Sequence, residues 1–187
     1  MENKLSLLGN QKVGTLRGQM GLTMIELLVA IAILAILLSI AVPSFITFAQ
    51  NSRLVGQTND LVTSLNYARS EAIKRGVRVS VCSRFDNTTC SSAAVINWDA
   101  GWLVFVNPNN NAVADAGETV LQVRQPLENG NTLRTAGLQR VTYQNSGFSG
   151  NADTFRLCDS RGTASGRAIV VSLQGRVSTS TGTTPCP

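Results

Sequence analysis

The chain has 187 residues, 43% of them hydrophobic and 14% charged, with a net charge of +5 and no histidine. That length allows one globular domain plus an appendage. The missing histidine removes the commonest general base and the commonest metal ligand, so a conventional catalytic triad cannot form. The charge is mild, and it permits contact with nucleic acid or an anionic surface without demanding it.

In chain order, the first element is apolar. Leu22 to Val42 is 21 residues, and a helix of that length spans about 31 Å, close to a bilayer core. From Leu27 to Val42 the only polar side chain is Ser39. Lys4, Lys12 and Arg17 precede the run, so the positive-inside rule keeps the N-terminus cytoplasmic and sends the C-terminus outward. No small-x-small cleavage site follows; Pro43 and Phe45 lead into a polar helical pattern, so the apolar helix is retained. Glu26 is the anomaly. A carboxylate at mid-bilayer costs about 2.5–3.5 kcal/mol on insertion scales, so it needs a partner.

Residues 44–75 continue the helix. Leu54, Leu61, Leu65, Ala68 and Ala72 form one apolar stripe, Glu71 lies four before Arg75, and Gly76 suits a C-terminal cap. From Val77 the period changes to two: Val77, Val79 and Val81 alternate with Arg78, Ser80 and Cys82, which predicts a half-buried strand. Further strands are predicted at Trp102–Val106, Thr119–Arg124, Arg140–Gln144, Thr154–Cys158 and Arg167–Leu173, separated by turn-rich pieces such as NPNNN and NSGFSGN. The last residues, STSTGTTPCP, would be loose without Cys186 to pin them. The expected class is α+β, one long helix on one face of an antiparallel sheet, with no internal repeat and no second domain.

Cys82, Cys90, Cys158 and Cys186 include no C-x-x-C pair. An even number on a chain with an export-like N-terminus reads as two disulfides. Three pairings are possible; the favoured one is Cys82–Cys90 as a local loop and Cys158–Cys186 as a clasp on the tail.

Gly21 followed by Leu22-Thr23-Met24-Ile25-Glu26-Leu27 resembles the type IV pilin-like signal. The resemblance implies that a prepilin peptidase cuts between Gly21 and Leu22, that Leu22 is then N-methylated, and that Glu26 is the fifth mature residue. It also implies that Glu26 neutralises the N-terminal amine of a neighbouring subunit in a filament, and that Pro43 is the proline pilins commonly carry in this helix. The implied boundaries are a leader over 1–21, a transmembrane and filament-core helix over 22–50, and a globular periplasmic domain of the pilin fold over 51–187.

Further along, LNYARSEAIKRG, DAGWLVFVNPNNN, AGETVL, FRLCDSRG and GRAIVVSLQGRV resemble, in order, the FimT/FimU/GspH family of minor pilins and pseudopilins. What this implies is a non-enzymatic, cofactor-free subunit that waits in the inner membrane, then enters a filament or its tip. The implied partners are other minor pilins, the major pilin, the prepilin peptidase and the inner-membrane assembly platform. The favoured place is FimU-like, in a type IV pilus that serves twitching motility and adhesion. The alternatives are a FimT-like binder of double-stranded DNA for transformation and a GspH-like pseudopilin of type II secretion.

Two constellations remain. From Arg124 onward seven arginines face three acidic residues, and Arg161, Arg167 and Arg176 are the candidate DNA contacts. FimT-type DNA binders carry Gly-Arg-x-Arg near the C-terminus; here Gly175-Arg176-Val177-Ser178 lacks the second arginine. The other is a weak calcium candidate. Asn107, Asn109, Asn111, Asp115 and Glu118 occupy positions 1, 3, 5, 9 and 12 of an EF-hand-like loop. Ala112 replaces the expected glycine and strand-like sequence flanks the segment, so a hairpin loop without metal is the favoured reading.

Overall fold

The computed structural model describes residues 21, 23–91, 97–111, 114–115, 117–182 and 185–186. Residues 1–20 of the expected leader over 1–21, Leu22 and Ala112 therefore lie outside the described residues. The chain divides into two compact units at the Phe45–Ile46 bond. One helix, α1 (Met24–Arg75), contributes its first part to one unit and its second part to the other.

In the second unit the α1 stripe is core. Leu54, Leu61, Leu65, Ala68 and Ala72 are at most 1% exposed. Truncating a leucine in such a row typically costs about 2–5 kcal/mol. The helix stops at Gly76, whose φ of +68° is left-handed and whose N–H donates to the Ala72 carbonyl.

Among the described residues eight strands follow, in two antiparallel sheets rather than the single expected one. The first has the order β3 (Val120–Val123), β2 (Trp102–Val106), β1 (Val79–Ser83), β5 (Arg140–Tyr143). The second has the order β4 (Thr132–Arg134), β6 (Asp153–Cys158), β7 (Arg167–Val171), β8 (Val177–Thr181). Alternation marks which residues share a face but not which strands pair, and both sheets turn apolar rows to the same core. Val79, Val81, Val104 and Val141 of the first sheet join Phe155, Leu157, Ile169 and Val171 of the second around the helix stripe. Trp98 and Phe155 meet edge to face at 4.7 Å, and the Trp98 indole N–H donates to the Leu138 carbonyl.

Strand β1 is buried on both faces, not half-buried. Its second face is covered because Cys82, Cys90, Leu103 and Phe105 build a smaller apolar cluster there, with Ala114, Val120 and Val123 packed on it. Ser80 on that face bonds Thr142 across the strand pair and accepts from the Asn107 amide. Strands β4 and β8 have no counterpart among the predicted strands: the first is three residues long and the second is the hydroxyl-rich VSTST.

Both disulfides are local tethers. Cys82–Cys90 closes the loop after β1, and Cys158–Cys186 ties the tail to the end of β6.

Candidate functional site

The start of α1 is built from very few groups. Thr23 precedes the helix, and its side-chain oxygen accepts the Glu26 backbone N–H at 3.2 Å while its carbonyl accepts from Leu27. Thr23 and Glu26 thus stand three apart, as in a capping box, with the carboxylate in the positive first turn of the helix. The spacing alone carries this cap: T-x-x-E before an apolar run is its sequence signal. Among the described residues no cation lies within ion-pair distance of Glu26. From Met24 to Phe48 every side chain is exposed, and the segment has a mean hydropathy of 2.9 over its best window. No charge follows Glu26 until Arg53. The helix is therefore long and apolar enough to cross a membrane. Within it, Ser39 donates to the Ile36 carbonyl at 2.7 Å, satisfying its hydroxyl in place. Pro43 lies inside the helix and contributes no N–H to the ladder.

The three candidate arginines are not brought to one surface. Arg161 is engaged with Asp159 through both Nε and Nη2, at 2.9 and 2.7 Å. Burial pushes the Asp159 carboxyl up, but the hydrogen bonds from Arg161 outweigh it and hold the group below its ordinary value. Arg167 falls in the same cross-strand row as Leu133 and Leu157, on the helix side of the second sheet. Its Nη1 donates to the Thr181 hydroxyl, and it lines a cleft with Val55, Thr58 and Asn59 of α1. Arg176 stands in the turn between β7 and β8 and is exposed.

Gly175, the glycine of the partial Gly-Arg-x-Arg, has a backbone role. It takes φ +75°, and a Cβ there would run into the Gly147 carbonyl. Arg69 of α1 locks the same place: Nε donates to the Gly147 carbonyl at 2.9 Å and Nη2 to the Gln174 carbonyl at 3.1 Å. One helical arginine thereby ties together the β5–β6 turn and the β7–β8 turn, a function that spacing alone does not reveal.

The asparagine loop is closed on itself. Asn107 is fully buried and its amide donates to Ser80 and to the Asn111 carbonyl. Asn109 and Asn111 direct amide N–H groups at the same Asp115 oxygen, at 2.7 and 2.5 Å, and Glu118 accepts the Asp115 backbone N–H. A cation would have to displace those donors. Among the described residues no group of three His, Cys, Asp or Glu side chains is placed to hold a metal. The Cys82–Cys90 loop is ordered in a similar way. Asp86 accepts from Thr88 and Thr89, and the Thr88 backbone N–H is the main reason its carboxyl lies below the ordinary value.

A long helix with an apolar, almost uncharged first part and a β-domain carried on its second part defines a pilin-like subunit. Residues 57–175 match the profile of the type II transport protein GspH family, and residues 16–42 match the prokaryotic N-terminal methylation motif. The first match spans more than half the chain, which therefore belongs to the GspH family of pilin-like proteins. Two crystal forms of the Pseudomonas aeruginosa type IV minor pilin FimU share the fold. One has a TM-score of 0.57 at 21% identity, with 74% of this chain and 96% of that chain covered. The other has a TM-score of 0.52 at 20% identity, with 69% and 94% covered. No curated protein sequence matches the chain. The family is a structural one, and its members are processed by a prepilin peptidase and assemble with other pilins.

Proposed function

We propose that the chain is a FimU-like minor pilin of a type IV pilus, cut between Gly21 and Leu22, methylated on Leu22, and held in the inner membrane with residues 51–187 in the periplasm until it enters a filament or its tip. The observation that carries this reading is the helix start. A capped first turn presents Glu26 at the head of an uncharged apolar helix. A carboxylate held there is useful when a neighbouring subunit's N-terminal amine meets it. Its role is to prime assembly or to help build the tip complex, and so to contribute to twitching motility and adhesion. A GspH-like place in type II secretion is the second reading, favoured by the description of the matched family.

The arginine geometry supports a protein-assembly role over DNA uptake. Arg161 is held by Asp159, Arg167 faces the helix, and of these three candidates Arg176 alone is exposed. Salt-sensitive DNA binding needs several phosphates neutralised together. The detergent-solubilised full chain is therefore expected to co-purify with minor pilins and to show no DNA binding beyond the nonspecific level at physiological salt. Tight DNA binding that is lost on replacing Arg167 and Arg176 by alanine would overturn this ranking.

A further inference from the structure

Outside the apolar start of α1, six large apolar side chains are exposed among the described residues, and three of them gather at one place. Ile73 near the end of α1, Phe148 in the β5–β6 turn and Leu173 in the β7–β8 turn are 53%, 52% and 55% exposed. They are close in space. The Ile73 side chain lies over Gly147, the Leu173 carbonyl accepts the Ser149 N–H, and the Phe148 carbonyl accepts from Gln144. Scattered exposed apolar residues need no explanation, but a gathered set marks a contact surface. The surface is also preorganised. The Arg69 hydrogen bonds to Gly147 and Gln174 and the close approach of Gly175 to Gly147 fix both turns to the helix. Little ordering cost is left to be met on binding.

From this surface we infer that the end of the β-domain around Ile73, Phe148 and Leu173 is the docking face for a second pilin-like subunit, with Arg176 at its rim answering a carboxylate of that subunit. The inference rests on the pilin reading above and names the face that reading leaves open. Three observations choose this occupant. Ile73 is 27 residues beyond Ile46 on one helix, about 40 Å along its axis. The face therefore lies at the far end of the helical part of this unit, where a subunit added along the axis would sit. Its composition, aromatic and aliphatic with an arginine, is that of an interface centre and its rim. Its charge asks for an acidic partner: Lys74 and Arg75 are already drawn onto Glu71 and Arg69 onto backbone carbonyls. The guanidinium of Arg176 has no partner among the described residues. A nucleic acid backbone would use the single arginine and leave the three apolar side chains unburied.

The test places a benzoylphenylalanine photocrosslinker at position 148 of the full chain in cells that build the filament. The expected adduct is with a chain that carries its own N-terminal methylation motif, identified by mass spectrometry. Arg176→Glu is expected to lower the adduct yield at least about fivefold and Arg176→Lys to preserve it, with thermal unfolding unchanged because the residue is exposed. An adduct with DNA, or none from chains shown to be in filaments, overturns the docking face and leaves the assembly role intact. A chain that never enters filaments overturns the assembly role and the docking face together.

Discussion

Replacing Glu26 by alanine is expected to leave the chain in the membrane and remove it from filaments. The two effects separate because they have different physical origins. In a lone helix a carboxylate is a cost, about 2.5–3.5 kcal/mol at the helix centre and less in the first turn where Glu26 stands, so alanine does not weaken membrane residence. The helix start also survives, since the Thr23 cap bonds the residue-26 backbone N–H, not its side chain. What alanine removes is the only anionic group between the start of α1 and Arg53, and with it the partner for a neighbour's amine. Breaking a desolvated, hydrogen-bonded charge pair between subunits costs about 2–5 kcal/mol. Incorporation measured in sheared filaments should therefore fall about thirty-fold or more, with unchanged amounts in the membrane fraction. Glu26→Gln keeps an acceptor without the charge and should fall between the two.

Gly175→Val is expected to lower the stability of the β-domain by about 3–5 kcal/mol, roughly 10 °C in the unfolding midpoint. Two costs combine. The residue sits at φ +75°, where a β-branched side chain is strained, and its Cβ would strike the Gly147 carbonyl that Arg69 also holds. Gly162→Ala separates the terms. Gly162 has a similar φ of +77° but nothing within 4 Å of a Cβ, so it should lose only about 1 kcal/mol. Equal losses at both positions would show that the contact between the two turns contributes nothing.

Much of this fold was legible because its signals are local. The apolar run, Pro43, the Leu54–Ala72 stripe and the alternation at Val79–Val81 each depend on side-chain periodicity, which one sequence carries. The second sheet was not legible, because pairing of β4 with β6 and β7 with β8 is fixed by distant partners. VSTST reads as a polar tail until β7 is seen beside it. Burial of both faces of β1 escaped for the same reason: its second cover comes from Leu103 and Phe105, with Val120 packed on them.

At the candidate sites the division is similar. Glu26 stood out by chemistry alone, since a lone carboxylate in an apolar helix demands an explanation. Thr23 could have been read from its spacing to Glu26. The arginines could not be sorted. Nothing in the order of Arg161, Arg167 and Arg176 says that one is held by Asp159, one faces the helix and one is exposed. Gly175 belongs by sequence to a partial binding motif, and its left-handed backbone against Gly147 gives it a structural reason to be glycine.

The most direct measurement is the mass of the mature N-terminal peptide isolated from the membrane of cells that carry the assembly machinery. The expected product is a chain that begins at Leu22 with a methylated amine and retains Glu26 and the whole apolar helix. A chain that retains residues 1–21, or one cut after the apolar run as a secreted protein would be, would contradict it.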